Sequence, residues 1–131
     1  MVAIGFIRSH YIERLSNQPM PLINLRTNVS DVQAPDALLK KLSDALASAT
    51  GKPESYVMTL LESGVPMTFA GSEAPCAYVE IKSIGALMPP AKEDQFCELI
   101  KSSLGIPKDR IYIGFDDVNA SDWGWNGRTF G

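Results

Sequence analysis

Histidine is almost missing from this chain. One occurs in 131 residues, His10, and it precedes the region that reads as a folded domain. A His-based catalytic triad or a zinc site inside that domain therefore lacks its usual groups. Cysteine is scarce as well: Cys76 and Cys97 are too few for a disulfide scaffold and suit a reducing compartment. Neither a Lys/Arg cluster nor a run of like charge occurs, and a net charge of −3 offers no field for nucleic acid or an anionic membrane surface. No apolar segment is long enough to span a bilayer. Whatever chemistry occurs here must use other groups, and no metal or cofactor is expected.

What is present is a globular composition, 45% apolar and 21% charged, at a length that suits one domain with a core of ordinary size. The opening "MVAIGFIRSHYIERLSNQP" resembles a signal peptide only superficially. It has no basic leading segment, Arg8 interrupts the apolar stretch, and no small-residue cleavage site follows. Ile4, Ile7, Tyr11 and Leu15 fall at helical spacing, so a short amphipathic helix is one reading. The favoured expectation is that residues 1–20 form an extension, a loosely held tail or a start-site artefact, ahead of a domain at 21–131.

A shift of 54 residues superposes the chain on itself, matching Pro21 with Pro75, Pro35 with Pro89, Gly51 with Gly105 and Pro53 with Pro107. The apolar pattern agrees: Leu25 with Val79, Leu42 with Phe96, Leu46 with Ile100, Val57 with Ile111. Each copy reads as strand, helix, strand. Leu22–Thr27 alternates like a half-buried strand. Leu38, Leu42, Ala45, Leu46 and Ala49 then share one helical face, with Pro35 suited to the first turn and Gly51 to the stop. In the second copy Phe96, Leu99, Ile100 and Leu104 take the inward face. Right-handed crossovers put both helices on one side of the sheet. The expected class is α+β: a two-layer sandwich of two pseudo-symmetric β-α-β units, a four-stranded mixed sheet with two helices on one face. Such a sheet exposes two edges and a second face, and the aromatic tail "ASDWGWNGRTF" needs a surface to cover; association between copies would answer both needs.

The segments "MPLINLRTNV", "ATGKPESYVM", "CAYVEIKSIG", "PKDRIYIGFDDVNA" and "GWNGRTF" together resemble the macrophage migration inhibitory factor and D-dopachrome tautomerase family, in its order and spacing, from Pro21 to Gly131. The resemblance implies a homotrimer with sites between neighbouring subunits and keto–enol tautomerisation of phenylpyruvate-like or dopachrome-like acids. It implies that the methionine before Pro21 is removed and that the freed proline amine is the base. By the same resemblance Lys52 binds the substrate carboxylate, Ile84 supplies a backbone contact, and Tyr112 brings a hydroxyl from the adjacent subunit. Tyr56, Trp125 and Phe130 would make the cleft apolar.

Elementary chemistry agrees with those roles. Enolisation needs a base that removes a proton alpha to a carbonyl and returns it nearby. A free α-amine titrates near 7.7–8.0 in reference peptides, and a secondary amine is more basic. Desolvation and a neighbouring cation such as Lys52 are what would keep it neutral at physiological pH. A proline nitrogen locked in a peptide bond has no useful basicity. Taken singly the residues are unremarkable: a proline can open a strand, a lysine can complement a helix C-terminus, and tyrosine is common in strands. Trp125 and Phe130 read more readily as packing or interface residues than as direct substrate contacts.

The sequence also departs from the family's vertebrate members. Gly114 stands at their pocket asparagine, and Lys82 and Trp123 replace smaller or neutral residues at the pocket rim. Cys76-Ala-Tyr-Val79 keeps one thiol of their Cys-x-x-Cys, so a dithiol cycle cannot operate there. The alternative function is a cytokine-like, protein-binding role on the same fold without catalysis, above all if residues 1–20 are retained. The expected location is the cytoplasm, with secretion by a route that needs no signal peptide as a second destination.

Overall fold

In a computed structural model, residues 20–85 and 89–131 are described. The helical spacing noted at Ile4–Leu15 and the single histidine lie outside them. The order is β1 (Pro21–Thr27), α1 (Pro35–Thr50), β2 (Met58–Glu62), β3 (Ala77–Ser83), α2 (Pro89–Leu104) and β4 (Ile111–Asp117). A short hairpin follows, β5 (Gly124–Trp125) and β6 (Arg128–Thr129). The four long strands form one mixed sheet in the order β2-β1-β3-β4. The outer pairs β1–β2 and β3–β4 are parallel, and the central β1–β3 pair is antiparallel. This is the expected two-layer sandwich of two β-α-β units.

Each helix forms where the sequence places its stops. Pro35 occupies the first turn of α1, where a missing N–H costs nothing, and Gly51 ends it in the left-handed region at φ 69°. Gly105 repeats that geometry at φ 71° after α2. Both copies then make a single 3₁₀ turn, at Glu54–Tyr56 and Lys108–Arg110, before the parallel strand. The 54-residue repeat is thus kept from helix start to second strand. The first strands depart from it. Leu22 pairs with Met58 while Tyr78, not Cys76, pairs with Tyr112, so β3 sits two residues later than the repeat requires. The cause is the connection: seven residues join β1 to α1 and only five join β3 to α2. A shift of two preserves the strand's faces, so the apolar pattern survives it.

The core lies between sheet and helices. Ile23, Leu25, Val79 and Ile81 from the central strands meet Leu38, Leu42, Leu46, Phe96 and Ile100 from the helices. Ala49, Leu99 and Leu104, expected on the inward faces, are partly buried against this cluster. The opposite face of the sheet carries no helix. Across it run Met58-Leu22-Lys82-Asp116, Leu60-Asn24-Glu80-Gly114 and Glu62-Arg26-Tyr78-Tyr112, three rows set by the register. Arg26 and Glu62 form an ion pair at 2.6 Å, and Met58 and Tyr112 are exposed.

The closing hairpin turns at Asn126-Gly127, both at positive φ (53° and 80°), the two-residue geometry whose twist matches flanking strands. Asn-Gly is its sequence signal; two-residue strands show no period by which alternation could mark them.

Candidate functional site

The antiparallel register brings the start of β1 beside the end of β3: Pro21 faces Ser83. Parallel pairing brings the start of β2 and the end of β4 to the same end of the sheet, through Leu22–Met58 and Ser83–Asp117. Chain ends and connections therefore converge at one place. A cavity of about 320 Å³ opens there, lined by Met20, Pro21, Leu22, Ser55, Tyr56, Val57, Met58, Trp123, Gly124, Trp125 and Phe130. That size sits at the lower end of ligand pockets, and the lining is mostly apolar with few polar groups, as such pockets are.

Three of its rings hold one another. Tyr56 meets Trp125 edge-to-face at 5.7 Å between centroids, and Trp125 lies nearly parallel to Phe130 at 6.2 Å. The strap that carries them is pinned by its backbone: Phe130 N–H donates to the carbonyls of Ala120 and Trp123, each at 3.1 Å.

Lys52 is tied to the end of β3 that faces Pro21. Gly51 ends α1 and Pro53 prevents its continuation, so Lys52 leaves the helix axis and its side chain is buried. Its ammonium donates a 2.8 Å hydrogen bond to the carbonyl of Ile84, the residue after Pro21's cross-strand neighbour. Burial pulls its pKa below the usual lysine value, with the Asp117 carboxylate pulling the other way. Asp117 is itself held by the Gly85 N–H at 2.8 Å. The Ser83 hydroxyl is buried without a hydrogen-bond partner among the described residues.

Of the residues singled out from sequence, Pro21, Tyr56, Trp125 and Phe130 share the cavity; Lys52 and Ile84 are bonded to each other and are not among its lining residues. Tyr112 stands apart. It is near the other end of β4, five residues before Asp117, or ~16 Å at the rise of a strand; it is exposed and packs on Phe69 at 4.8 Å. Met20, Leu22, Ser55, Val57, Met58 and Gly124 also line the cavity and carry no chemical signal in the sequence. Met20 is the least ordinary of them: it is buried and holds φ at 111°, a region that a residue with a side chain rarely enters. Its nitrogen neighbour Pro21 is an amide while that bond stands. Among the described residues no group of three metal-ligating side chains is assembled, and no helix is long and apolar enough to cross a membrane.

Two pseudo-symmetric β-α-β units, with a small aromatic cavity at the start of β1, define a two-layer α+β domain. The chain belongs to the macrophage migration inhibitory factor family, whose family model matches residues 20–131. A homologue of that factor from Brugia malayi is 43% identical over 115 residues, 86% of this chain and the whole of that protein. The Xenopus laevis factor is 40% identical over 85% of this chain and 99% of its own. Among solved structures, the homologue from Prochlorococcus marinus superposes with a TM-score of 0.79 at 54% identity, covering 84% of this chain and 99% of that one. The Trichinella spiralis factor gives 0.77 at 34% identity, over 83% and 99%.

Proposed function

We propose that residues 21–131 are a keto–enol tautomerase for phenylpyruvate-like or dopachrome-like acids, with the amine of Pro21, freed from Met20, as the base. The observation that carries this reading is the position of Pro21 in an aromatic-lined cavity, with a buried lysine bonded to the residue that follows its strand partner Ser83. The neutral secondary amine takes a proton from the carbon next to the keto group and becomes a secondary ammonium. The electron pair moves into the carbonyl, forming an enolate, and the proton returns to the enolate oxygen to give the enol. Lys52 binds the carboxylate of the acid and contributes the positive field that keeps the amine neutral between turnovers. Ile84 offers its backbone, and Tyr56, Trp125 and Phe130 enclose the ring. Tyr112 polarises the developing enolate from a neighbouring copy in a homotrimer. No cofactor takes part.

Residues 1–20 are, on this reading, an extension that silences the base while it is attached. Met20 in the cavity supports a second reading for that form: with the amine blocked, the fold keeps only a protein-binding, cytokine-like role. The protein works in the cytoplasm or after export by a route independent of a signal peptide. The test compares phenylpyruvate enolisation by a chain beginning at Pro21 with the 131-residue chain. Turnover confined to the former is expected; equal turnover by both removes the amine from the mechanism.

A further inference from the structure

The four rings that line the cavity are not equivalent. Tyr56, Trp125 and Phe130 are joined by ring contacts into one unit, so each is held by its neighbours. Trp123 lines the same cavity but takes part in none of the ring contacts found among the described residues. Its backbone is nevertheless fixed. The Trp123 N–H donates to Ala120 O at 3.4 Å, and its carbonyl accepts from Phe130 N–H at 3.1 Å. The ring is half-buried, at the end of the short turn that leads into β5. Trp123 is thus the aromatic residue of this cavity with no ring partner among the described residues, and an indole so placed can meet a flat ligand. Flat rings gain attraction from an offset or edge contact that an alkyl chain of equal area does not.

We propose that Trp123 is the residue that selects for an aromatic ring in the acid this cavity takes, by stacking on it directly. The inference rests on the tautomerase reading for its kinetic consequence, but not for binding. The protein therefore discriminates aryl from branched aliphatic 2-keto acids through Trp123, while Tyr56, Trp125 and Phe130 shape the enclosure for both.

The experiment uses the chain beginning at Pro21 and the variants Trp123→Ala and Trp123→Phe. Proton exchange at C3 is followed by NMR for phenylpyruvate and for 4-methyl-2-oxopentanoate. Affinity for 3-phenylpropanoate, which has no ketone to enolise, is measured by calorimetry. Trp123→Ala is expected to lower kcat/KM for phenylpyruvate about tenfold, ~1.4 kcal/mol, mainly through KM, with the aliphatic acid changed less than about twofold. The affinity for 3-phenylpropanoate should fall by a similar factor, and Trp123→Phe should recover most of both losses. Equal losses for aryl and aliphatic acids, or unchanged 3-phenylpropanoate affinity, overturn the inference. If no form turns over either acid, the tautomerase reading fails, and a fall in 3-phenylpropanoate affinity on Trp123→Ala still upholds the stacking role.

Discussion

The Lys52 ammonium donates to the Ile84 carbonyl at 2.8 Å, tying the end of the first helix to the residue beside Pro21's strand partner. One bond thus joins the two halves of the pseudo-symmetric chain at the proposed site. Burial lowers the Lys52 pKa, so between its folded value and the unfolded value near 10.4 the unfolded chain binds more protons. Stability carried by this group therefore rises with pH through that window. Below it the charged form is buried at a cost. Lys52→Met should remove this pH dependence, flattening the urea midpoint in the range just below the unfolded value near 10.4. It should also raise KM for phenylpyruvate by about tenfold or more, because a charge-assisted contact to the carboxylate is lost. An unchanged KM would exclude Lys52 as the carboxylate site.

Pro21→Gly, made on the chain that begins at this residue, should lower phenylpyruvate enolisation by ~10²-fold, the lower range of what a positioned base contributes. Glycine keeps a free amine but makes it primary, changes its basicity, releases it from the ring that holds it, and leaves the cavity larger. Circular dichroism should be unchanged, since Pro21 opens a strand without donating to the ladder. Wild-type rates in this variant would show that the proline ring is dispensable to the base.

Much of this is legible in the sequence, and the limits have physical causes. The 3.6 period of Leu38, Leu42, Ala45 and Leu46 and the proline and glycine at the helix ends fixed both helices to their observed bounds. Gly51 and Gly105 did so because only glycine enters their backbone region without strain. The two-residue offset of β3 escaped notice, because a shift by two leaves every side chain on its own face and so leaves the apolar pattern intact. Met20, Val57 and Met58 could not be read as cavity residues either. An apolar side chain carries no mark of which hollow it lines; only the meeting of strand ends at one end of the sheet assigns it.

Gly127 holds φ at 80° in the turn that folds Trp125 back beside Phe130, although a Cβ there meets nothing within 4 Å. Gly127→Ala is therefore a backbone test rather than a steric one. It should cost ~1 kcal/mol locally and loosen the strap without touching the main core. KM for phenylpyruvate should rise severalfold while the global urea midpoint shifts little. A large global loss would mean that the strap folds as part of the core.

Gly114 lies on β4 with open space around it, no atom within 4 Å of an added Cβ, and no positive φ. Gly114→Asn should therefore fold with a stability change inside about 0.5 kcal/mol. If β4 of one copy borders the site of another, the added amide should change kcat/KM for phenylpyruvate by severalfold. No kinetic change would place Gly114 away from every site in the assembly.

Tyr112 is 67% exposed and stands near the far end of β4 from the cavity that holds Pro21. It can serve that chemistry only in a neighbouring copy. Met58 and Tyr112, exposed on strands at opposite edges of the sheet, give such a neighbour apolar ground to cover. A closed ring of three would scatter light as about three times 14.3 kDa. Complementation tests the shared site more sharply than mass does. Pro21→Gly and Tyr112→Phe chains, each of low activity alone, are refolded together in equal amounts. In a cyclic trimer, roughly a quarter of the sites then pair an intact Pro21 with an intact Tyr112 from the next copy. Activity should return to about that fraction of wild type. If both groups acted within one copy, no mixed assembly would hold a complete site and the activity would stay at the level of the separate variants.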